Sequence, residues 1–177
     1  MDQRELRGVQ VITILVSHSF DAIIANHMLY HVPNRPAAYA EFYRVLKPSG
    51  RLYAATISRD NMQELDALVA HVHPFRSQDR AAANPISDRR QRTGFNLEHG
   101  AEELSQWFAI VTLHRYADAL VVPAAEPLVA YIRSIGILTE DELVRFQYYV
   151  EEVIEQQGPI HISKDVGMFE ACQSNAS

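Results

Sequence analysis

Two apolar runs, "FDAIIA" at 20–25 and "RLYAATIS" at 51–58, flank a single connecting segment, and that segment constrains the fold more than any other feature of the chain. Asn34 suits a helix cap and Pro36 a first turn, and Tyr39, Phe42, Val45 and Leu46 recur at helical spacing. "KPSG" at 47–50 ends that pattern. The unit from 20 to 57 therefore reads as strand, helix, strand. Its length of about 40 residues fits a βαβ crossover, which requires two parallel neighbouring strands and a right-handed connection.

The rest of the chain extends an α/β pattern. "VQVITILV" at 9–16 is β-branched and reads as a strand. Residues 61–72 carry the stripe Met62, Leu65, Leu68, Val69 and Val72, which predicts a helix. Residues 74–96 read as irregular and 97–108 as helical, while 110–122 alternates as a long strand. A short helix is expected over 126–134, after Pro123. A longer one is expected from Glu140 to Gln157, with Thr139 and Glu142 as a capping box and Gly158-Pro159 as its stop. Residues 160–172 read as a last strand, antiparallel to 110–122. No internal repeat or linker divides the 177 residues, so one domain is expected over 1–177.

Composition narrows the partners. A net charge of -6 argues against a nucleic-acid or anionic-membrane surface. No apolar stretch approaches the length of a membrane helix, and the first residues lack the pattern of a secretion signal. Cys172 is the only cysteine, so a reducing, cytoplasmic setting is the expectation.

The stretch "FDAIIANHMLYHVPNRPAAYAEFYRVLKPSGRLYAATIS" resembles the second half of a class I S-adenosylmethionine-dependent methyltransferase. That family shows an apolar strand beginning with Phe-Asp, a polar turn containing histidine, a helix ending in "RVLKPGG" and a further strand. Here Ser49 stands where glycine is usual. "FNLEHGAEELSQWF", "LVVPAAEPLVAYIRSI" and "KDVGMFEA" resemble the lid and terminal hairpin of the small-molecule branch. The resemblance implies a partial Rossmann-like sheet, mostly parallel, with an antiparallel C-terminal hairpin and helices on both faces. Segments 60–108 and 123–158 would be helical lid or cover. It makes 20–25 the fourth strand of the family's seven, 51–57 the fifth, and 110–122 with 160–172 the terminal pair.

The family's first strand ends in a glycine-rich turn that holds the cofactor. The seven glycines here lie at 8, 50, 94, 100, 136, 158 and 167, none closer than six residues to the next. Three of the family's strands and their helices are therefore not expected here, and the chain reads either as a truncated chain or as a natural short form with a different job.

The same resemblance gives "ANHMLYHVP" at 25–33 its meaning. Ligands of open α/β sheets bind outside the carboxyl ends of the strands. Ala25, Asn26 and His27 would contact S-adenosylmethionine, and Tyr30 would face a small-molecule acceptor. His31 would take a proton from that acceptor, since neutral imidazole titrates near working pH. The plain alternative is a polar turn whose side chains satisfy loose backbone groups. Arg89 and Arg90 in "DRRQR" suit an anionic group on the acceptor, or simply a solvated loop. No metal is expected: His27 and His31 are four apart, but Pro33 breaks any helix there, and "HVH" at 71–73 reads as a surface pair.

Three readings follow: a methyltransferase acting on a small molecule; a non-catalytic domain of that fold that binds a partner; and a form that completes itself as a homodimer through an uncovered sheet edge.

Overall fold

The computed structural model describes residues 15–72 and 94–173. The run at 9–16 lies outside them except for Leu15 and Val16, which are exposed and not in a strand.

Strand β1 (Phe20–Asn26) leads through a single 3₁₀ turn, Leu29–His31, into helix α1 (Arg35–Val45). The Asn34 side chain accepts a hydrogen bond from the Ala37 N–H, and Pro36 fits the first turn because its missing donor would be unpaired there anyway. Strand β2 (Leu46–Ile57) follows and pairs parallel with β1. "KPSG" is not a loop between helix and strand. It is an irregularity inside β2: the register runs Phe20 to Leu46 and then Ala22 to Arg51. Gly50 makes this possible, since a Cβ there would lie 2.9 Å from the Phe20 carbonyl oxygen.

Helix α2 (Gln63–Val72) begins two residues later than its stripe suggests. Met62 takes φ 62, and Asn61 is turned so that its Oδ1 accepts from the Asp165 N–H at 2.8 Å. Of the segment read as helical over 97–108, only α3 (Gly100–Leu104) is α-helix. The Ser105 hydroxyl donates to the Ala101 carbonyl at 2.7 Å, and Phe108 turns into the core. Strand β3 (Ile110–Val122), helix α4 (Glu126–Ile135), helix α5 (Glu140–Gln157) and strand β4 (Ile160–Cys172) follow the sequence pattern closely. The Thr139–Glu142 capping box is present.

The four-stranded sheet has the order β1-β2-β4-β3. It is mixed: β1 and β2 are parallel, whereas β4 runs antiparallel to both β2 and β3. One hydrophobic cluster joins Ala25, Leu52, Ala54, Phe169 and Ala171 to α1 and α3 through Tyr39 and Leu104. The other joins α2, α4 and α5 to the far end of the hairpin at Val122 and Ile162. Helices thus cover both faces, at different places. The register sets Ala22, Ile24, Asn26, Tyr53, Ala55 and Met168 on the face opposite Ala25 and Leu52. Ile24 there is 77% exposed. An Arg51–Glu170–His114 cluster crosses this face over three strands.

Two outcomes are expected. Gly100→Ala would set a methyl 2.4 Å from the Phe169 ring, so it should lower stability by about 1–3 kcal/mol in urea unfolding. The hydrogen bond from Arg115 holds the Asp165 carboxyl below its ordinary value, and bonds from His114 and Arg51 do the same for Glu170. Carboxyls lowered in the folded state contribute stability that is complete above their unfolded pKa, near 4, and lost as pH falls through the folded value. Melting temperature should therefore drop below about pH 4, and Arg115→Ala should flatten that limb.

Candidate functional site

The carboxyl ends of β1 and β2 lie side by side, with Asn26 paired to Ala55 and the His27 N–H donating to the Ala55 carbonyl at 3.1 Å. Ala25 is buried beneath the sheet, while Asn26 and His27 are exposed at the strand end. His27 adopts φ 49, a left-handed conformation that costs residues with a Cβ about 1–2 kcal/mol, though histidine, asparagine and aspartate take it more often than most. Among the described residues nothing hydrogen-bonds its ring. That conformation breaks the strand and turns the next residues into the 3₁₀ turn.

Within that turn, Leu29 is fully buried and anchors the loop. Tyr30 is half-buried against the same cluster, and this burial raises its phenol pKa. His31 is exposed, with its ring edge-on to Tyr30 at 4.5 Å. Five of the residues singled out from sequence therefore gather at one strand end: Ala25, Asn26, His27, Tyr30 and His31. Arg89 and Arg90 lie outside the described residues. Among those described, no group of three or more His, Cys, Asp or Glu residues is placed to hold a metal ion. No described helix is long and apolar enough to cross a membrane.

Sequence reasoning missed the polar groups at the end of β2. The Ser58 hydroxyl donates to Glu98 Oε1 at 2.7 Å, and the Arg59 N–H donates to Glu98 Oε2 at 3.2 Å. The Arg59 guanidinium also meets the His99 ring. The Leu97 N–H bonds the Ile57 carbonyl, and Thr56 Oγ1 donates to the Phe95 carbonyl, so 95–99 is pinned to this strand end. Asn96 is buried. Its Oδ1 accepts from the His99 N–H, while its Nδ2 has no hydrogen-bond partner among the described residues. The available signal was positional: if β1 and β2 are parallel neighbours, whatever follows Ile57 shares the crevice with whatever follows Asn26.

A second missed group braces the loop from outside. Arg35 Nε donates to Glu103 Oε1 at 2.6 Å, and the Tyr39 hydroxyl donates to the same oxygen at 3.1 Å. Burial, reinforced by the Glu103 carboxylate, raises the Tyr39 phenol pKa far above its ordinary value. The phenol stays protonated and serves as a fixed donor tying α1 to α3.

The described residues at the ends of β1 and β2 form one open wall, not an enclosure. Among the described strands β1 is an outer one, and the sequence holds no close-spaced glycines for a phosphate- or carboxylate-holding turn. S-adenosylmethionine does not fit these residues as a complete site.

Residues 11–54 match the family model of a methyltransferase domain. No curated protein matches the chain. Among solved structures, it is similar to a putative methyltransferase from Bacillus halodurans at 17% identity and TM-score 0.46, covering 92% of this chain and 68% of that one. The YcgJ protein of Bacillus subtilis gives 16%, 0.48, 92% and 68% for the same four measures. A phosphoethanolamine N-methyltransferase from Haemonchus contortus, solved with phosphomonomethylethanolamine and S-adenosylhomocysteine, gives 14% and 0.43, covering 91% of this chain and 35% of that one. The chain thus spans about a third to two thirds of the length of these structures.

The backbone at His27 yields a test. If its left-handed conformation has only a structural role, glycine would serve better. His27→Gly should stabilise the fold by about 0.5–1 kcal/mol in chemical denaturation, because relief of strain exceeds the entropy glycine loses. A destabilised variant would mean that the ring itself makes a stabilising contact.

Proposed function

We propose that this chain is the acceptor-side part of an S-adenosylmethionine-dependent methyltransferase acting on a small molecule, weak or inactive by itself. The match of residues 11–54 to the methyltransferase domain carries the reading. The strand end supports it: Asn26 and His27 stand exposed where ligands of open α/β sheets bind. Ala25, Asn26 and His27 form the cofactor-facing wall. Tyr30 offers a half-buried ring to the acceptor, with Arg89 and Arg90 for an anionic group on it. His31, when neutral, accepts the proton released from an acceptor hydroxyl or amine. Segments 60–108 and 123–158 act as cover. A cytoplasmic setting belongs to the same reading, with Cys172 as the only cysteine.

A second reading has its own support. β1 is an outer strand and Ile24 on it is 77% exposed, which suits a non-catalytic domain that works by joining another chain, a homodimer first of all.

Calorimetric titration with S-adenosylmethionine separates the two. On the first reading, binding is saturable but weak, and Asn26→Ala lowers it several-fold while leaving the melting temperature within a few degrees. His31→Ala leaves cofactor binding unchanged and lowers methyl transfer by about 10²-fold or more. No binding at millimolar cofactor would leave only the second reading.

A further inference from the structure

The segment 94–103 begins and ends at one side chain. Gly94 takes φ 66, and a Cβ on it would lie 3.0 Å from Arg35 Nη2. Glu103 returns to the same guanidinium, whose Nε donates to Glu103 Oε1 at 2.6 Å. Between these ends the segment is tied to the end of β2. The Phe95 carbonyl accepts from Thr56 Oγ1 at 3.0 Å, and the Leu97 N–H donates to the Ile57 carbonyl at 3.2 Å. Glu98 accepts from the Ser58 hydroxyl and the Arg59 N–H. The segment is thus a strap, fastened at both ends to the start of α1 and along its middle to the end of β2.

Arg35 is the first residue of α1, four positions past His31. The His27 N–H bond to Ala55 and the buried Leu29 fix the near end of the loop after β1, and Arg35 lies at its far end. We infer that Arg35 and Glu103 are positioning residues, a clasp that holds the loop at 27–34 and the strap at 94–103 against each other and so fixes the spacing of the two walls of the candidate site.

The contact is built for this. The two side chains are only 22% and 23% exposed, so salt screens the pair less than at an open surface, and the bond between them is charge-assisted. The buried Tyr39 gives the same Glu103 oxygen a second donor, which sets the carboxylate in place for Arg35. Packing alone would not need the pair, since Tyr39, Phe95 and Leu104 already share one hydrophobic cluster. That the walls receive S-adenosylmethionine rests on the reading above. The clasp itself rests on these contacts.

Hydrogen exchange of the full chain, read by NMR, tests it. The His31, Val32, Leu97 and His99 amides report on both walls, since each is hydrogen-bonded there. Glu103→Ala and Arg35→Ala should each speed exchange at these amides about tenfold, while the amides of the β3–β4 hairpin keep their wild-type rates. The double variant should be no faster than either single one, because the pair acts as a unit. Glu103→Gln keeps an acceptor oxygen and should restore most of the protection. Titrated with S-adenosylmethionine, Glu103→Ala should bind several-fold more weakly than the wild type, and Glu103→Gln nearly as well.

Unchanged rates at the four amides overturn the proposal, and so does an additive double variant. Equal acceleration throughout the sheet, or loss of the fold, also overturns it, because the pair would then merely hold the core. Unchanged cofactor affinity in a variant whose walls have loosened overturns the positioning role. A wild type that binds no S-adenosylmethionine, with the exchange pattern as expected, keeps the clasp and defeats the methyltransferase reading.

Discussion

Strand β4 is the element on which the two halves of this structure depend. It pairs with β2 along one edge and with β3 along the other, and its side chains enter both hydrophobic clusters. Phe169 and Ala171 pack with β1, β2 and α1, while Ile162 packs with α2, α4 and α5. Without β4 the β1–α1–β2 unit would be a parallel pair with one helix, too small to stand alone. The fit is tight. Gly100 touches the Phe169 ring, and a Cβ on Gly167 would lie 3.0 Å from the His114 carbonyl oxygen. The candidate site is built from the ends of β1 and β2, yet its rigidity is borrowed from a strand more than a hundred residues further along.

The periodic elements were legible because local pattern and tertiary packing agree. β3, β4 and α5 have apolar spacing, caps and stops that point one way, and their bounds follow from it. Reading failed where side chains made long-range commitments. Asn61 looks like a helix residue, but its carboxamide is used by Asp165. "KPSG" looks like a turn, but Gly50 admits the Phe20 carbonyl and lets the strand run through. The short α3 ends where Phe108 is needed in the core. At the site, the β1 end was visible as a cluster of unusual residues. Glu98 and Asn96 were invisible, because only the β1–β2 pairing and the contact of Leu97 with Ile57 bring them there.

The sheet has two outer strands with opposite character. β3 is long and carries charge, so exposure suits it. β1 is short, apolar and nearly uncharged, the composition of an interior strand. Its inner face is satisfied by Ala25 and Leu52, but Ile24 on the other face meets solvent. A strand with interior chemistry in an exterior position is a local conflict, and such conflicts are resolved by whatever covers them.

Among the described residues, three other than glycine take positive φ: His18, His27 and Met62. His18 and His27 flank β1 and Met62 directly precedes α2, and a glycine would take each conformation without strain. Each is tied into the fold by a hydrogen bond. His18 Nδ1 bonds the Leu46 carbonyl at 3.0 Å, and the Met62 N–H bonds the Ser163 carbonyl at 2.8 Å. For His27 only the backbone N–H is engaged, by Ala55; its ring is exposed, and among the described residues nothing holds it. The left-handed turn at His27 ends β1 and aims the chain into the 3₁₀ turn that buries Leu29, at a cost of about 1–2 kcal/mol. It leaves the ring exposed beside Asn26, where the ends of β1 and β2 meet.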